Sequence, residues 1–316
     1  MWLRDIFRPP NSPADPALTD GPVDFAGQLT PRLYQQLDRL RLRSEQPLQG
    51  SGAGLRRSVR RRPAADFLEH RQYVPGDDVR FVDWRATARH EQIFLKQGEH
   101  PQENQVTLLI DASASMAWGA PPKASTTLAL AACLSYLALG NEDRLTLVVP
   151  GRPGGLVKVK GKGQYPAVLN HLRTLRFSGT PALAAELHLI ARHSQTGGML
   201  IVLSDLLDQP DLAVAFAELP PPHWQVSVLH LLHPEELEPP VQGEFALLDA
   251  ESGLRRNVNI DRIALQKYAR LLEDWRRAIE LSYIERHAQY TLVPTGWSLE
   301  REAVPHLRRV RLLEPR

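Results

Sequence analysis

Apolar and polar positions change rhythm at about residue 104. Downstream, short continuous apolar runs alternate with segments of helical spacing, the pattern of buried strands covered by helices. Gln105–Ile110, Arg144–Val149, Leu156–Lys160, Met199–Leu203, Gln225–Leu232 and Gln289–Val293 read as strands. Helical spacing predicts helices over about Lys123–Gly140, Gln164–Leu175, Pro181–Ser194, Asp211–Glu218, Asp261–Arg286 and Glu300–Leu312. Phe245–Leu248 and Arg255–Val258, parted by Asp249–Gly253, read as a hairpin inserted around residues 243–259. The predicted class is α/β, a mostly parallel sheet with helices on both faces.

Upstream the signal is thinner. Residues 8–30 are rich in Pro, Asp, Gly and Ser and read as part of an extended lead-in, 1–30. Leu33, Leu37 and Leu40 share one face of a helix expected over Leu33–Leu42, and Gly50–Gly54 breaks the pattern. The chain therefore divides into 1–30, a segment 31–103, and the α/β domain 104–316.

Composition narrows the classes. With 316 residues, 43% hydrophobic and 23% charged, the chain has the makeup of a soluble globular protein able to bury a sizeable core. A net charge of +2 gives no global field that recruits nucleic acid. Arg56–Pro63 holds five arginines among eight residues, but no aromatic platform accompanies them. That segment reads as a solvated basic loop or one facing an acidic partner protein. The single Cys133 excludes a disulfide framework and fits a reducing cytoplasm. No run reaches the ~18–20 apolar residues that span a bilayer. Residues 1–10 lack a signal-peptide core, and their Trp2, Leu3, Ile6 and Phe7 offer at most one apolar turn to a membrane.

Candidate chemistry begins at Asp111-Ala112-Ser113-Ala114-Ser115, directly after the first strand. A carboxylate and two hydroxyls at every second position can turn three oxygens toward one point, at the strand end where open α/β sheets bind ligands. Ser178-Gly179-Thr180-Pro181 opens a helix, with Thr180 expected as its N-cap. Leu203-Ser204-Asp205 puts another carboxylate at the end of a second buried strand. Asp111, Ser113, Ser115, Thr180 and Asp205 can thus meet at one sheet edge. Oxygen ligands with few formal charges suit Mg²⁺, and Mn²⁺ as well.

Catalytic motifs are missing: no phosphate-binding G-x-x-x-x-G-K-[ST], no H-E-x-x-H, no paired C-x-x-C, no G-x-S-x-G. The eleven histidines are scattered, and His223, His230 and His233 read as surface or strand-end residues. Tyr73–Asp78 is first a turn. Asp77, Asp78 and Asp83 could hold a second metal, but interleaved arginines point instead to an Arg–Asp network anchored on Trp84.

The DASAS, SGT and SD segments resemble the metal-ion-dependent adhesion site of von Willebrand factor A domains. By that resemblance Ser113 and Ser115 bind the ion directly. Asp111, Thr180 and Asp205 bind directly or through water, and one position stays open for an acidic side chain of a partner. Residues 67–89, through Arg71-Gln72-Tyr73-Val74-Pro75-Gly76-Asp77-Asp78 and Asp83-Trp84, resemble the signature of the bacterial "domain of unknown function 58" family. In that family the segment precedes an A-type domain whose first loop reads D-x-S-x-S-M, completed here by Met116. Two departures stand out: no upstream membrane helix, and Pro181 where A domains often place Asp. The resemblance implies a non-enzymatic, cytoplasmic, Mg²⁺-dependent module acting with a MoxR-type AAA+ ATPase in maturation of a client protein. The alternative is a metal-dependent hydrolase or nuclease using the same ion with Asp77 and Asp78.

Overall fold

The computed structural model describes residues 5–6, 23–44, 69–73, 82–89, 92–97, 104–180, 182–194, 197–207, 212–239, 243–249 and 255–316. The chain forms two compact units, residues 1–46 with 104–316, and residues 47–103. The segment expected over 31–103 is therefore divided at residue 46.

In the larger unit the elements run β1 (Asp5–Ile6), α1 (Pro31–Leu37), β2 (Leu40–Leu42), β3 (Gln105–Ile110), α2 (Lys123–Gly140), β4 (Arg144–Val148), β5 (Leu156–Lys160) and α3 (Tyr165–Thr174). They continue with α4 (Leu183–His193), β6 (Gly198–Ser204), α5 (Leu212–Phe216), β7 (Trp224–Leu232), α6 (Pro234–Leu237) and β8 (Gly243–Asp249). Last come β9 (Arg255–Ile260), α7 (Arg262–Ile284), β10 (Ala288–Pro294), α8 (Val304–Arg309) and β11 (Leu313–Pro315). Six strands form the central sheet in the order β10-β7-β6-β3-β4-β5, parallel except for the antiparallel edge pair β4–β5.

Side chains alternate across this sheet with period two. Leu108 and Ile110 of β3 pack with Leu128 and Ala131 of α2, while Leu109 faces Leu187 of α4 and Phe216 of α5 in a second cluster. Helix α2 is long and apolar enough to cross a membrane, but nearly its whole length is buried in the core. The expected hairpin is present, and β1 extends it to a three-stranded antiparallel sheet.

Differences from the sequence expectations arise where segments distant in the chain pair. The helix expected over Leu33–Leu42 stops at Leu37, and Leu40–Leu42 pairs with Leu313–Pro315 as a strand. Leu40 and Leu42 are buried with Arg41 exposed between them, a strand period that the leucine spacing of a helix also fits. The closing helix starts as a π-turn over Leu299–Ala303 and ends at Arg309, leaving Leu313 for β11.

In the smaller unit Glu69–Gln72 and Phe94–Gln97 pair antiparallel, and Trp84–Thr87 forms one short helix. Asp83 caps it, its Oδ1 accepting from the Arg85 and Ala86 amides at 2.9 and 3.1 Å. Trp84 is 68% exposed and does not serve as the expected apolar anchor. Arg56–Pro63 and Asp77–Asp78 lie outside the described residues.

Candidate metal site

Asp111 leaves the end of β3 with its amide still bonded to the Leu203 carbonyl at 2.9 Å, so the ladder delivers it to the carboxyl edge of the sheet. Both carboxylate oxygens are fixed: Oδ1 accepts from the Ser113 amide at 2.9 Å, and Oδ2 from the Ser204 hydroxyl at 2.5 Å. The Ser113 and Ser115 hydroxyls lie 3.0 Å apart, and all three residues are buried. The spacing of two brings these oxygens together, as the sequence predicts.

A second loop lies against the first. The Ser178 amide donates to Ala112 and the Ala114 amide to Gly179, each at 2.9 Å. Arg152, from the turn between β4 and β5, donates to the Ala112 carbonyl at 2.9 Å and to the carbonyl and hydroxyl of Ser178 at 2.5 and 2.9 Å. That turn closes tightly on Gly155, where a Cβ would collide with the Val149 carbonyl. Between the loops is a cavity of about 140 Å³ whose lining includes Asp111, Ser113, Arg152, Ser178 and Thr180.

Thr180 is exposed at this rim and is not a helix cap, a correction to the sequence expectation. Helix α4 begins three residues later, preceded by Ala182 with no side-chain cap, because the chain uses Ser178–Gly179 to pair with the first loop. Pro181 lies outside the described residues.

Asp205 is buried but is not among the residues lining the cavity. Its Oδ1 accepts from the Leu207 amide at 3.1 Å, and its Oδ2 receives the Lys123 ammonium at 2.8 Å. Lys123 also reaches Glu236 Oε1 at 2.6 Å, whose other oxygen accepts from the His233 amide at 2.7 Å. Burial opposes the lysine's charge, yet the two carboxylates hold its proton well above the usual lysine range. Burial, joined by the nearby charge of Asp205, pushes Asp111 up to about 6 against the hydrogen bonds from Ser204 and Ser113.

The donor set fits a hard cation in part. Asp111, Ser113, Ser115 and Thr180 offer only oxygens, and a cation beside Asp111 offsets the cost of its burial. Asp205 spends its oxygens on Lys123 and Leu207, which suits a ligand acting through water rather than directly. The hydrolytic alternative depends on Asp77 and Asp78, both outside the described residues.

Lys123, Arg152 and Glu236 carry no sequence expectation, and Ser204, named there only beside Asp205, holds Asp111. One signal was available: Lys123 is the sole charged residue in the 18-residue α2. A lone cation at the head of a buried helix needs an anion. His230 is fully buried rather than at a strand end, its Nδ1 2.6 Å from the Tyr290 hydroxyl. Burial drives its pKa down to about 3.

A family described as "Protein of unknown function DUF58" matches residues 69–278. The uncharacterized protein Rv1480 of Mycobacterium tuberculosis is 30% identical over 265 residues, covering 81% of this chain and 83% of the relative. The uncharacterized protein Mb1516 of Mycobacterium bovis shows the same figures. Among solved structures, the conserved hypothetical protein BatB of Bacteroides thetaiotaomicron is 16% identical with a TM-score of 0.39, covering 66% of this chain and 98% of that one. An aerotolerance-related membrane protein of Bacteroides fragilis is similar to the same extent, at 16% identity and a TM-score of 0.38, covering 65% and 99%.

Proposed function

This chain belongs to the DUF58 family, and we propose that its α/β unit is a von Willebrand factor A-like, non-enzymatic binding module with a metal-ion-dependent adhesion site. Ser113, Ser115, Asp111 and Thr180 hold Mg²⁺ or Mn²⁺, with Asp205 acting through water. When bound, the ion supplies positive charge that neutralises a partner's carboxylate as it leaves water. The observation that carries this reading is the Asp111 carboxylate, fixed at both oxygens beside two hydroxyls 3.0 Å apart at a strand's carboxyl end.

The chain's own residues prepare that edge. Ser204 and the Ser113 amide orient Asp111, Arg152 keeps the Thr180 loop against the Ser113 loop, and Lys123 fixes Asp205. The partner we propose is a MoxR-type AAA+ ATPase, engaged in maturing a client protein. Thermal unfolding of wild type and Asp111→Ala with EDTA, Mg²⁺, Mn²⁺ and Ca²⁺ tests the site. Mg²⁺ or Mn²⁺ raises the midpoint of wild type alone, because a ligand of the native state stabilises it by mass action. No rise in wild type sinks the proposal. A Mg²⁺-dependent pull-down of the ATPase, abolished in Asp111→Ala, tests the partner.

A further inference from the structure

Helices α1 and α8 and the β2–β11 ribbon carry a second feature, far from the Asp111 loop. Lys123 touches Asp205 at the start of α2, whereas Arg316, just beyond β11, bonds to Asn141 at the other end of that helix at 3.1 Å. Eighteen helical residues separate the two ends, about 27 Å at 1.5 Å per residue.

Two cavities of about 390 and 410 Å³ adjoin at this far end, with Arg308 and Pro315 in the walls of both. Arg32, Arg39 and Arg308 line the first, and Arg43, Arg308, Arg309 and Arg311 line the second. The single acid among the lining residues is Glu314, already paired with Arg41 at 2.8 Å. Among the described residues, Arg32, Arg39, Arg308, Arg309 and Arg311 enter no ion pair.

Local structure explains only part of this gathering. Arg308 and Arg309 sit in the last turn of α8, where cations complement the helix dipole. Arg32 does the opposite, standing in the first turn of α1, where a cation is disfavoured. Arginines from both ends of the chain converge at a cost in mutual repulsion, and among the described lining residues one carboxylate, Glu314, stands beside them.

The lining chemistry selects the ligand. Every cation is an arginine, whose planar fork grips a carboxylate or a phosphate through two parallel hydrogen bonds. The remaining walls include Leu40, Leu313 and Pro305 and contain no aromatic ring on which bases could stack. The chain's net charge of +2 supplies no far field to hold a nucleic-acid backbone. We infer that this face binds an acidic polypeptide segment, whose carboxylates enter both cavities on either side of Arg308.

The test uses the full chain and a fluorescent peptide of alternating Glu and Ala, read by anisotropy at low salt in EDTA. Wild type binds it, and raising the salt weakens the complex. Arg308→Glu, a change at an exposed residue, lowers affinity at least about tenfold by placing like charges together. Arg192→Glu on α4, equal in charge but on the other helical layer, leaves affinity unchanged, as does Asp111→Ala. That last result separates this face from the metal reading, which EDTA and Asp111→Ala abolish. Should Arg308→Glu unfold, Arg308→Gln is measured in its place, with the same direction expected. Absence of binding by wild type overturns the inference, as does equal weakening by Arg192→Glu. Tighter binding of an eight-residue oligothymidylate or of phosphatidylserine vesicles, lost in Arg308→Glu, overturns the choice of a polypeptide.

Discussion

Lys123 Nζ lies 2.8 Å from Asp205 Oδ2, with side-chain exposures of 0% and 1%. The same ammonium holds Glu236 at 2.6 Å, so one cation serves two carboxylates drawn from the ends of β6 and from α6. The pair fixes where Asp205 points.

Lys123→Met leaves the buried Asp205 and the partly buried Glu236 without their cation. Breaking one partner of such a network costs about 3–5 kcal/mol, so the urea midpoint falls sharply at neutral pH. The double variant Lys123→Met with Glu236→Gln recovers part of the loss, since one stranded charge is gone. A loss below about 1 kcal/mol for the single variant contradicts the buried network.

Arg152 acts on geometry rather than on the core. Its guanidinium bridges Ala112 and Ser178 from the edge of the sheet. Arg152→Ala costs on the order of 1 kcal/mol of stability, the scale of a hydrogen-bonded surface contact. Its larger effect is on the proposed metal response, because the Thr180 loop keeps its two backbone bonds to the Ser113 loop but loses the guanidinium that braces them. The Mg²⁺-induced rise in midpoint shrinks relative to wild type, and Arg152→Lys, lacking the planar fork, does not restore it. A full Mg²⁺ response in Arg152→Ala removes Arg152 from the site.

What the sequence reveals here follows from how local each signal is. The strand–helix alternation after residue 104 and the placing of Asp111, Ser113 and Ser115 rest on periods of two and on nearest neighbours, and the structure shows both. Thr180 and Leu40 go astray because a long-range pairing claims them or their neighbours: Ser178 with Ala112, Leu40 with Pro315. The Lys123–Asp205–Glu236 network spans more than 110 positions, and only α2's lack of other charges hints at it. The arginine cavities likewise join α1 to α8 across the whole chain, beyond the reach of a window-based reading.

Asp143 gives a stability effect whose sign depends on pH. Burial raises its carboxyl from 3.8 to about 6, although its oxygen accepts from the Asn104 amide at 3.3 Å. A raised folded-state value means that ionisation penalises the folded chain above about 6, and protonation relieves the penalty as pH falls toward 4. Asp143→Asn keeps an acceptor for Asn104 without the charge. The variant is more stable than wild type at pH 7.5, on the order of 1 kcal/mol or about 2–4 °C for a domain of this size. The two converge near pH 4. Thermal scans from pH 4 to 8 showing a constant difference refute the assignment.

Cys133 turns the proposed metal site into a measurable rate. Its thiol is buried within α2, and burial pushes it up to about 12, so the native chain presents almost no thiolate. Reaction with a disulfide reagent therefore waits for the helix to open. Helix α2 begins at Lys123, which holds Asp205, and packs beneath the strand that delivers Asp111. An opening that releases α2 thus releases the ion as well. At Mg²⁺ a hundredfold above its dissociation constant, the folded state gains about 2.7 kcal/mol, and labelling slows by about a hundredfold. Asp111→Ala labels at one rate with or without Mg²⁺. A wild-type rate indifferent to Mg²⁺, with the reagent's reaction on unfolded chain as the reference, counts against ion binding at the Asp111 loop.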